Sequence, residues 1–212
     1  MDLLGARHIE EALTRVGELL VAASETHAVV VLGGAAMNLL GFAERTTRDV
    51  DVVAFGHPVG EDPPSEVRPP TEPLPPGLRR AVETVARDLG LATDWMNTGI
   101  ALQWRQGLPA GLAGRLQWRN YGEPGIGGLW VGLVDRYDLV FFKLFAAADS
   151  IGPRSVHYQD LIALAPSDEE IAAAAAWVHD QDASPTFHDV LDRVVRHVRQ
   201  DLARDVDTNE GD

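Results

Sequence analysis

The sequence of 212 residues contains no cysteine, which excludes disulfide frameworks and thiolate metal sites. Its seven histidines show none of the close spacings that zinc ligands require. Long apolar runs are also lacking, since none reaches the roughly 18 residues of a membrane span, and the first residues do not form a basic-then-apolar signal peptide. We therefore expect a cytoplasmic protein without a membrane partner.

Positive charge is scarce, with 18 lysines and arginines against 32 aspartates and glutamates and a net charge of −14. A broad nucleic-acid footprint needs a basic face, so this class of interaction is disfavoured. A nucleotide, or a short RNA end in a local basic pocket, remains compatible with this charge. The arginines that we expect to line such a pocket are Arg45, Arg48, Arg115 and Arg119. Lys143 is the only lysine in the sequence, which singles it out as a candidate functional residue.

The segment 29–53 combines two patterns that are typical of nucleotide chemistry. A β-branched run stops at Gly33-Gly34, where a strand-to-helix turn lets the backbone approach a phosphate and the helix N-terminus adds partial positive charge. A second β-branched run carries Asp49 and Asp51, which share one face of a strand because they lie two residues apart. Converging carboxylates suit Mg²⁺. The segment therefore predicts a phosphate site beside a metal site.

The hydrophobic patterns predict an α+β fold, in which a mixed sheet with flanking helices is followed by a C-terminal helical bundle. We place the α/β core at residues 1–134, the helical region at 135–204 and a disordered tail at 205–212. Eight prolines in the segment 57–77 predict an extended loop rather than a central strand. The remaining predicted elements are helices at 8–24, 35–40, 78–89, 135–149, 155–164, 167–179 and 187–202, and strands at 28–32, 50–55, 112–121 and 129–134.

The arrangement of Gly33-Gly34, Gly41, Arg45, Thr47 and Asp49-Val-Asp51 resembles the signature of the polymerase-β-type nucleotidyltransferase fold. In particular, it is similar to stand-alone bacterial members related to the AbiEii-type toxins and the mycobacterial nucleotidyltransferase toxins. The similarity spans most of residues 28 to 180, because further residues follow in the expected order. These are the segment 94–97, Lys143, Arg154 and Asp160.

The resemblance implies a role for each matching residue. Asp49 and Asp51 would ligate one or two Mg²⁺ ions, and together with Lys143 and Asp160 they form the implied catalytic set. The implied nucleotide-binding residues are Gly33, Gly34, Arg45, Thr47 and Lys143. Positioning and charge neutralisation, which these residue types supply, dominate phosphoryl and nucleotidyl transfer.

Structural roles are the alternatives for several of these residues. A lysine in an apolar helix often extends to the surface, as Lys143 would then do. Asp160 is equally a candidate for helix packing or for an ion pair with Arg154. Members of the fold also place a third carboxylate on a neighbouring strand, for which Asp94 is the nearest candidate, and His157 stands where relatives have an acidic residue.

The function that we expect is transfer of a nucleoside monophosphate from an NTP to an acceptor. The resemblance implies the 3′ end of a tRNA as acceptor and a toxin-like role, with a cognate antitoxin or other partner protein. Two alternatives stay open. In the first, the chain is a catalytically inactive nucleotide-binding or regulatory module of the same fold. In the second, it is an antitoxin that transfers AMP to a partner protein.

Overall fold

The computed structural model describes residues 4–58, 62–69, 73–104, 106–150 and 155–209. The chain folds into two compact units, residues 1–135 and 136–212. A mixed sheet with flanking helices forms the first, and helices form the second. The predicted α+β class is therefore confirmed.

In the described part of the first unit, six strands form one mixed sheet. They are β1 (Thr26–Leu32), β2 (Val50–Gly56), β3 (Val67–Arg68), β4 (Met96–Asn97), β5 (Gln117–Glu123) and β6 (Gly127–Leu133). The spatial order is β3-β2-β1-β6-β5, with β4 paired to β2. β1 is antiparallel to β2 and parallel to β6, so the sheet is mixed.

The main core of the first unit lies between this sheet and two of its helices. The helices of the unit are α1 (Ala6–Ala22), α2 (Gly33–Leu39) and α3 (Pro76–Leu89). Leu13 of α1 and Val82 of α3 are buried in one cluster with Val31 and Val52 of the sheet. A methyl group on Gly17 would lie 1.8 Å from a main-chain oxygen of β5, so glycine allows α1 to approach that strand.

The strand predicted at 112–121 is shorter in the structure, and this boundary of the prediction is wrong. Leu112–Arg115 forms a 3₁₀ turn, and β5 begins at Gln117. Gly111 has a φ of 76°, its carbonyl accepts the N–H of Gly114 at 3.1 Å, and the turn therefore closes before the strand. Beyond it, β5 and β6 pair as an antiparallel hairpin.

The proline-rich segment 57–77 contributes only to the edge of the sheet in its described residues. Its described residues contribute β3, which pairs antiparallel with the end of β2. α3 begins at Pro76. The first N–H groups of a helix have no partner within the helix, so proline, which lacks an N–H, breaks no hydrogen bond at this position. Residues 59–61 and 70–72 of the segment lie outside the described residues.

The described part of the second unit consists of four helices. They are α4 (Arg136–Asp149), α5 (Val156–Ala163), α6 (Asp168–Gln181) and α7 (Pro185–Asn209). The first of them packs against the other three. Aromatic contacts join them, with ring centroids 5.5 Å apart both for Phe142 and Trp177 and for Phe145 and Phe187.

The last helix is longer than predicted. It continues to Asn209, into the residues that the sequence assigns to a disordered tail, and residues 210–212 lie outside the described part. Among all the helices that the structure describes, none combines the length and apolar character of a membrane span.

Candidate functional site

The turn between β1 and α2 lies against a carboxylate of β2. Leu32, the last residue of β1, is the antiparallel partner of Asp51. Gly33 follows with a φ of 73°, and a methyl group on it would stand 2.9 Å from Asp51 Oδ2. A side chain at this position would meet both a left-handed backbone and a carboxylate, so the turn requires glycine. The main chain and Asp51 thereby border the same space.

The second glycine of the turn adjoins two further predicted residues. A methyl group on Gly34 would lie 2.7 Å from Thr47 Oγ1 and 3.3 Å from Arg45 Nη2. Thr47 is buried and donates to the main-chain oxygen of Asp49 at 3.3 Å. The Arg45 N–H donates to Asn38 Oδ1 of α2 at 3.3 Å, which ties this loop to the helix that follows the turn.

Asp51 lies on the face of β2 that is turned away from the main core, and Asp49 immediately precedes the strand. Val50 and Val52 are buried in the cluster that α1 and α3 cover. Because side chains alternate along a strand, Asp51 points to the opposite face. Both aspartates are half-buried rather than fully exposed.

Asp49 is held in surroundings that oppose its ionisation. Burial raises the pKa of its carboxyl above the usual value of 3.8, and the negative charge of Asp94 acts in the same direction. A hydrogen bond from Asn97 and the positive charge of Arg48 lower that pKa and offset part of the effect. A cation beside Asp49 would act like Arg48 and favour the ionised form.

The short strand β4 brings an amide, and no carboxylate, opposite Asp51. It runs parallel to β2, with Val50 paired to Met96 and Asp51 paired to Asn97. Asp94, the sequence candidate for a third carboxylate, lies in the turn before β4 and acts on Asp49 only through its charge. Asn97 is thus a site residue to which the sequence analysis gave no role, because two strand residues carry no periodic signal.

The oxygen donors present fit a magnesium ion that shares its ligands with a phosphate. Among the described residues, no three histidine, aspartate or glutamate side chains gather into a metal-binding group. Asp49 and Asp51 supply two carboxylates, and Mg²⁺ is commonly held by one or two carboxylates with water and substrate phosphates. The main chain of the glycine turn lies next to the Asp51 carboxylate, so a phosphate bound to that main chain would adjoin the cation.

Lys143 and Asp160, the other two residues of the predicted catalytic set, lie in the second unit and bind each other. Lys143 Nζ of α4 donates to Asp160 Oδ2 of α5 at 2.5 Å, and both side chains are 4% exposed. The alternative in which Lys143 extends to the surface is therefore wrong, because its charge is paired in the interior. Arg154 lies outside the described residues.

The arginines expected to form a basic pocket have other partners in the first unit. Arg119 donates to Glu10 Oε1 at 2.5 Å and to the main-chain oxygen of Leu39 at 2.8 Å. Arg115 donates to the main-chain oxygen of Ala110 at 2.8 Å. Arg45 and Arg48 are the two that lie next to the candidate site.

The first unit therefore gathers Gly33, Gly34, Arg45, Thr47, Asp49 and Asp51 in one place, and the second unit pairs Lys143 with Asp160. No protein-family model, curated protein or solved structure matches this chain.

Proposed function

We propose that this chain is a magnesium-dependent nucleotidyltransferase, which moves a nucleoside monophosphate from an NTP to an acceptor hydroxyl and releases pyrophosphate. The supporting observation is that the Gly33-Gly34 turn adjoins both Asp51 and the Arg45–Thr47 loop. One small region then offers main chain for a phosphate, carboxylates for a cation, and the positive charge of Arg45 for the remaining phosphate oxygens.

Each residue has a definite task in this reaction. Asp49 and Asp51 would hold Mg²⁺, which when bound neutralises charge on the phosphate oxygens. The main chain at the glycine turn, with Arg45, would hold the triphosphate and orient its α-phosphorus, and Thr47, whose hydroxyl donates to the main-chain oxygen of Asp49, would fix the loop that carries Arg45. The acceptor oxygen bonds to that phosphorus as its bond to the bridging oxygen breaks, so pyrophosphate leaves and the hydroxyl proton passes to solvent. Positioning and charge neutralisation account for most of such catalysis.

The proposal rests on residues of the first unit alone. The catalytic and phosphate-binding roles that the resemblance implies for Lys143 and Asp160 stay predictions. Their contact supports a role as a pair, since each side chain is buried against the charge of the other.

For the acceptor, we propose the 3′ end of a tRNA, which would give the protein a toxin-like activity controlled by a partner protein. The resemblance in segment 33–51 is the support for this choice. The net charge of −14 restricts an RNA contact to a local one, and Arg45 and Arg48 are the nearest arginines. NTPs and tRNA are cytoplasmic, so we expect the protein to act in the cytoplasm.

The decisive experiment incubates the protein with each labelled NTP and Mg²⁺ in the presence of bulk tRNA, a partner protein or small hydroxyl compounds. Wild type should label one acceptor, and the Asp49→Ala, Asp51→Ala variant should label none. A matched control, Asp88→Ala with Asp180→Ala, removes two exposed carboxylates elsewhere and should label normally. Equal silence of wild type and the site variant across all acceptors would contradict the proposal.

A second candidate is a binding module that takes up the nucleotide without turning it over. The observation that favours it is Asn97, an amide at the strand position opposite Asp51. Calorimetry distinguishes the two functions when it is combined with the labelling assay. Binding of NTP with Mg²⁺ but no transfer supports the module, and transfer supports the enzyme.

A further inference from the structure

The two edges of the sheet differ in how well they are protected from pairing with another chain. At one edge, β3 and β4 contribute two residues each, and β3 lies in the proline-rich segment 57–77. Very short strands and prolines are devices that keep a sheet edge from accepting a foreign strand. β5, at the other edge, has seven residues and contains neither proline nor lysine. This second edge therefore lacks those devices.

The main chain of β5 pairs with a single strand. It is antiparallel to β6 over all seven residues. In an antiparallel pair, alternate residues direct their N–H and C=O groups away from the partner strand. Within the described part of the chain, no main-chain group of another element hydrogen-bonds the main chain of residues 117–122. The outer side of β5 is therefore able to accept a further strand.

A groove of about 400 Å³ borders this edge. It lies between the exposed side of α1 and the second half of β5, and its lining includes Glu18, Val21, Tyr121 and Glu123. A strand paired with β5 would place every second side chain on the face of the sheet that α1 covers. One of those side chains would enter the groove.

The groove carries negative charge that is not neutralised within the described chain. Glu18 and Glu123 are both exposed, and neither forms an ion pair with a described residue. Val21 and Tyr121 add apolar surface beside them. A lysine or arginine matches this lining, because its apolar stem packs on such surface while its charged end reaches the carboxylates. The net charge of −14 also attracts a basic segment from a distance.

We propose that β5 is a docking site for an extended segment of a partner protein, which adds an antiparallel strand to the sheet and places a lysine or arginine against Glu18 and Glu123. In this mode of recognition, main-chain hydrogen bonds supply affinity and the side-chain pocket supplies specificity. Ile126, in the turn after β5, is 53% exposed and offers apolar surface that a protein segment can cover. None of these residues belongs to the candidate nucleotide site, so the inference does not rest on the proposed function.

The experiment titrates the full-length protein into a fluorescent peptide of alternating threonine and valine with one central lysine, and follows anisotropy. Wild type should bind this peptide at least about tenfold more tightly than the same peptide with glutamate at that position, because like charges would face each other. Glu18→Lys with Glu123→Lys should reverse the preference. Asp88→Lys with Asp180→Lys makes the same change in net charge at exposed positions elsewhere and should keep it.

Main-chain pairing is tested with N-methylated versions of the lysine peptide. Methyl groups on every second nitrogen remove the donors from one side of the peptide strand. An antiparallel strand on β5 uses only one side, so one of the two alternating sets of methyl groups should abolish binding. The other set should leave binding nearly unchanged.

Each remaining result contradicts the proposal. Wild type that binds no peptide at millimolar concentration, or binds the lysine and glutamate peptides equally, would overturn it. Lysine-dependent binding that neither set of methyl groups weakens would show a pocket for a free cation and overturn strand addition. A wild-type dimer that the lysine peptide dissociates in sedimentation would assign this edge to a second copy instead. If Glu18→Lys with Glu123→Lys fails to fold by circular dichroism, the peptide series on wild type decides alone.

Discussion

Gly33 is restricted to glycine by two separate demands, a φ of 73° and the approach of Asp51 Oδ2 to within 2.9 Å of an added methyl group. In Gly33→Ala, the left-handed backbone should cost about 1–2 kcal/mol of the free energy of unfolding. The methyl group should also displace the Asp51 carboxylate and weaken binding of NTP with Mg²⁺ about tenfold or more, a loss of at least about 1.4 kcal/mol. Thermal unfolding and calorimetric titration measure the two effects.

Gly90 is the matched control for this substitution. It has a φ of 68° and open space where a methyl group would stand. Gly90→Ala should therefore destabilise by a similar amount and bind the nucleotide as wild type does. Equal nucleotide affinity in Gly33→Ala and Gly90→Ala would show that the contact with Asp51 is irrelevant to binding.

The ion pair of Lys143 and Asp160 predicts strong coupling between two substitutions. Lys143→Met or Asp160→Leu alone leaves one charge buried opposite an apolar side chain and should cost about 3–5 kcal/mol. The double variant leaves no buried charge from this pair and should be more stable than either single variant. Urea unfolding of all four proteins gives the coupling free energy, and simple additivity would contradict the prediction.

The same four proteins test the predicted catalytic role of the pair. If Lys143 and Asp160 act only in packing, the double variant should recover transfer activity along with stability. A double variant that is stable but inactive would support the phosphate-binding role implied for Lys143.

Among the elements, the long and periodic ones could be predicted from the sequence, and the short ones could not. The strand at 28–32 is predicted by its β-branched run. The end of the helix before Gly90 is predicted because glycine readily adopts the left-handed conformation of a helix cap. β4 has two residues and forms because Val50 and Asp51 pair with it, which is a tertiary cause. For the same reason the role of Asn97 is visible only in the folded chain.

The sequence predicts a helix at 167–179, and α6 begins there with a capping box. Ser167 Oγ accepts the N–H of Glu170 at 3.2 Å, and Glu170 Oε2 accepts the N–H of Ser167 at 2.9 Å. Glu170 also pairs with Arg136. Burial opposes ionisation of Glu170, but the hydrogen bonds from Arg136 and Ser167 and the Arg136 charge outweigh it, so its pKa lies below the usual 4.5.

This lowered pKa sets the sign of a pH effect. The stabilisation should be complete above pH 4.5, the ordinary value, and should be lost as the pH falls through the lower pKa of the folded state. Glu170→Gln should lose about 1–2 kcal/mol at neutral pH, a difference that disappears in stronger acid. Urea unfolding across this pH range measures it, with exposed Glu169→Gln as the control. A loss independent of pH would contradict the assignment.

At the scale of the whole molecule, the division into two units limits what sequence order can reveal about the site. Gly33-Gly34 and Asp49-Val-Asp51 could be predicted as neighbours because they flank adjacent strands of one sheet. Lys143 and Asp160 are joined by helix packing within the second unit, which no short motif encodes. The order of residues along the chain therefore singles out the residues of the segment 33–51 and also Lys143 and Asp160, but it does not predict that Lys143 and Asp160 contact each other.

The acidic balance of the molecule predicts local recognition of the acceptor. A net charge of −14 disfavours contacts with many phosphates along an RNA backbone. A short hairpin carrying a tRNA 3′ end should therefore be labelled within about threefold of the rate of the whole tRNA. Rates measured on both acceptors at two salt concentrations test this. Strict dependence on whole tRNA, with a steep loss of activity in salt, would point to a broad basic surface instead.

The central claim is that the turn at Gly33-Gly34 and the two aspartates at the start of β2, Asp49 and Asp51, form one site for an NTP and a divalent cation. Calorimetric titration of wild type and of Asp49→Asn, Asp51→Asn with a non-hydrolysable NTP, with and without Mg²⁺, tests it most directly. We expect binding by wild type that requires Mg²⁺ and that the variant, being nearly isosteric, loses without unfolding. Absence of binding to wild type, or equal binding by both proteins, would contradict the claim.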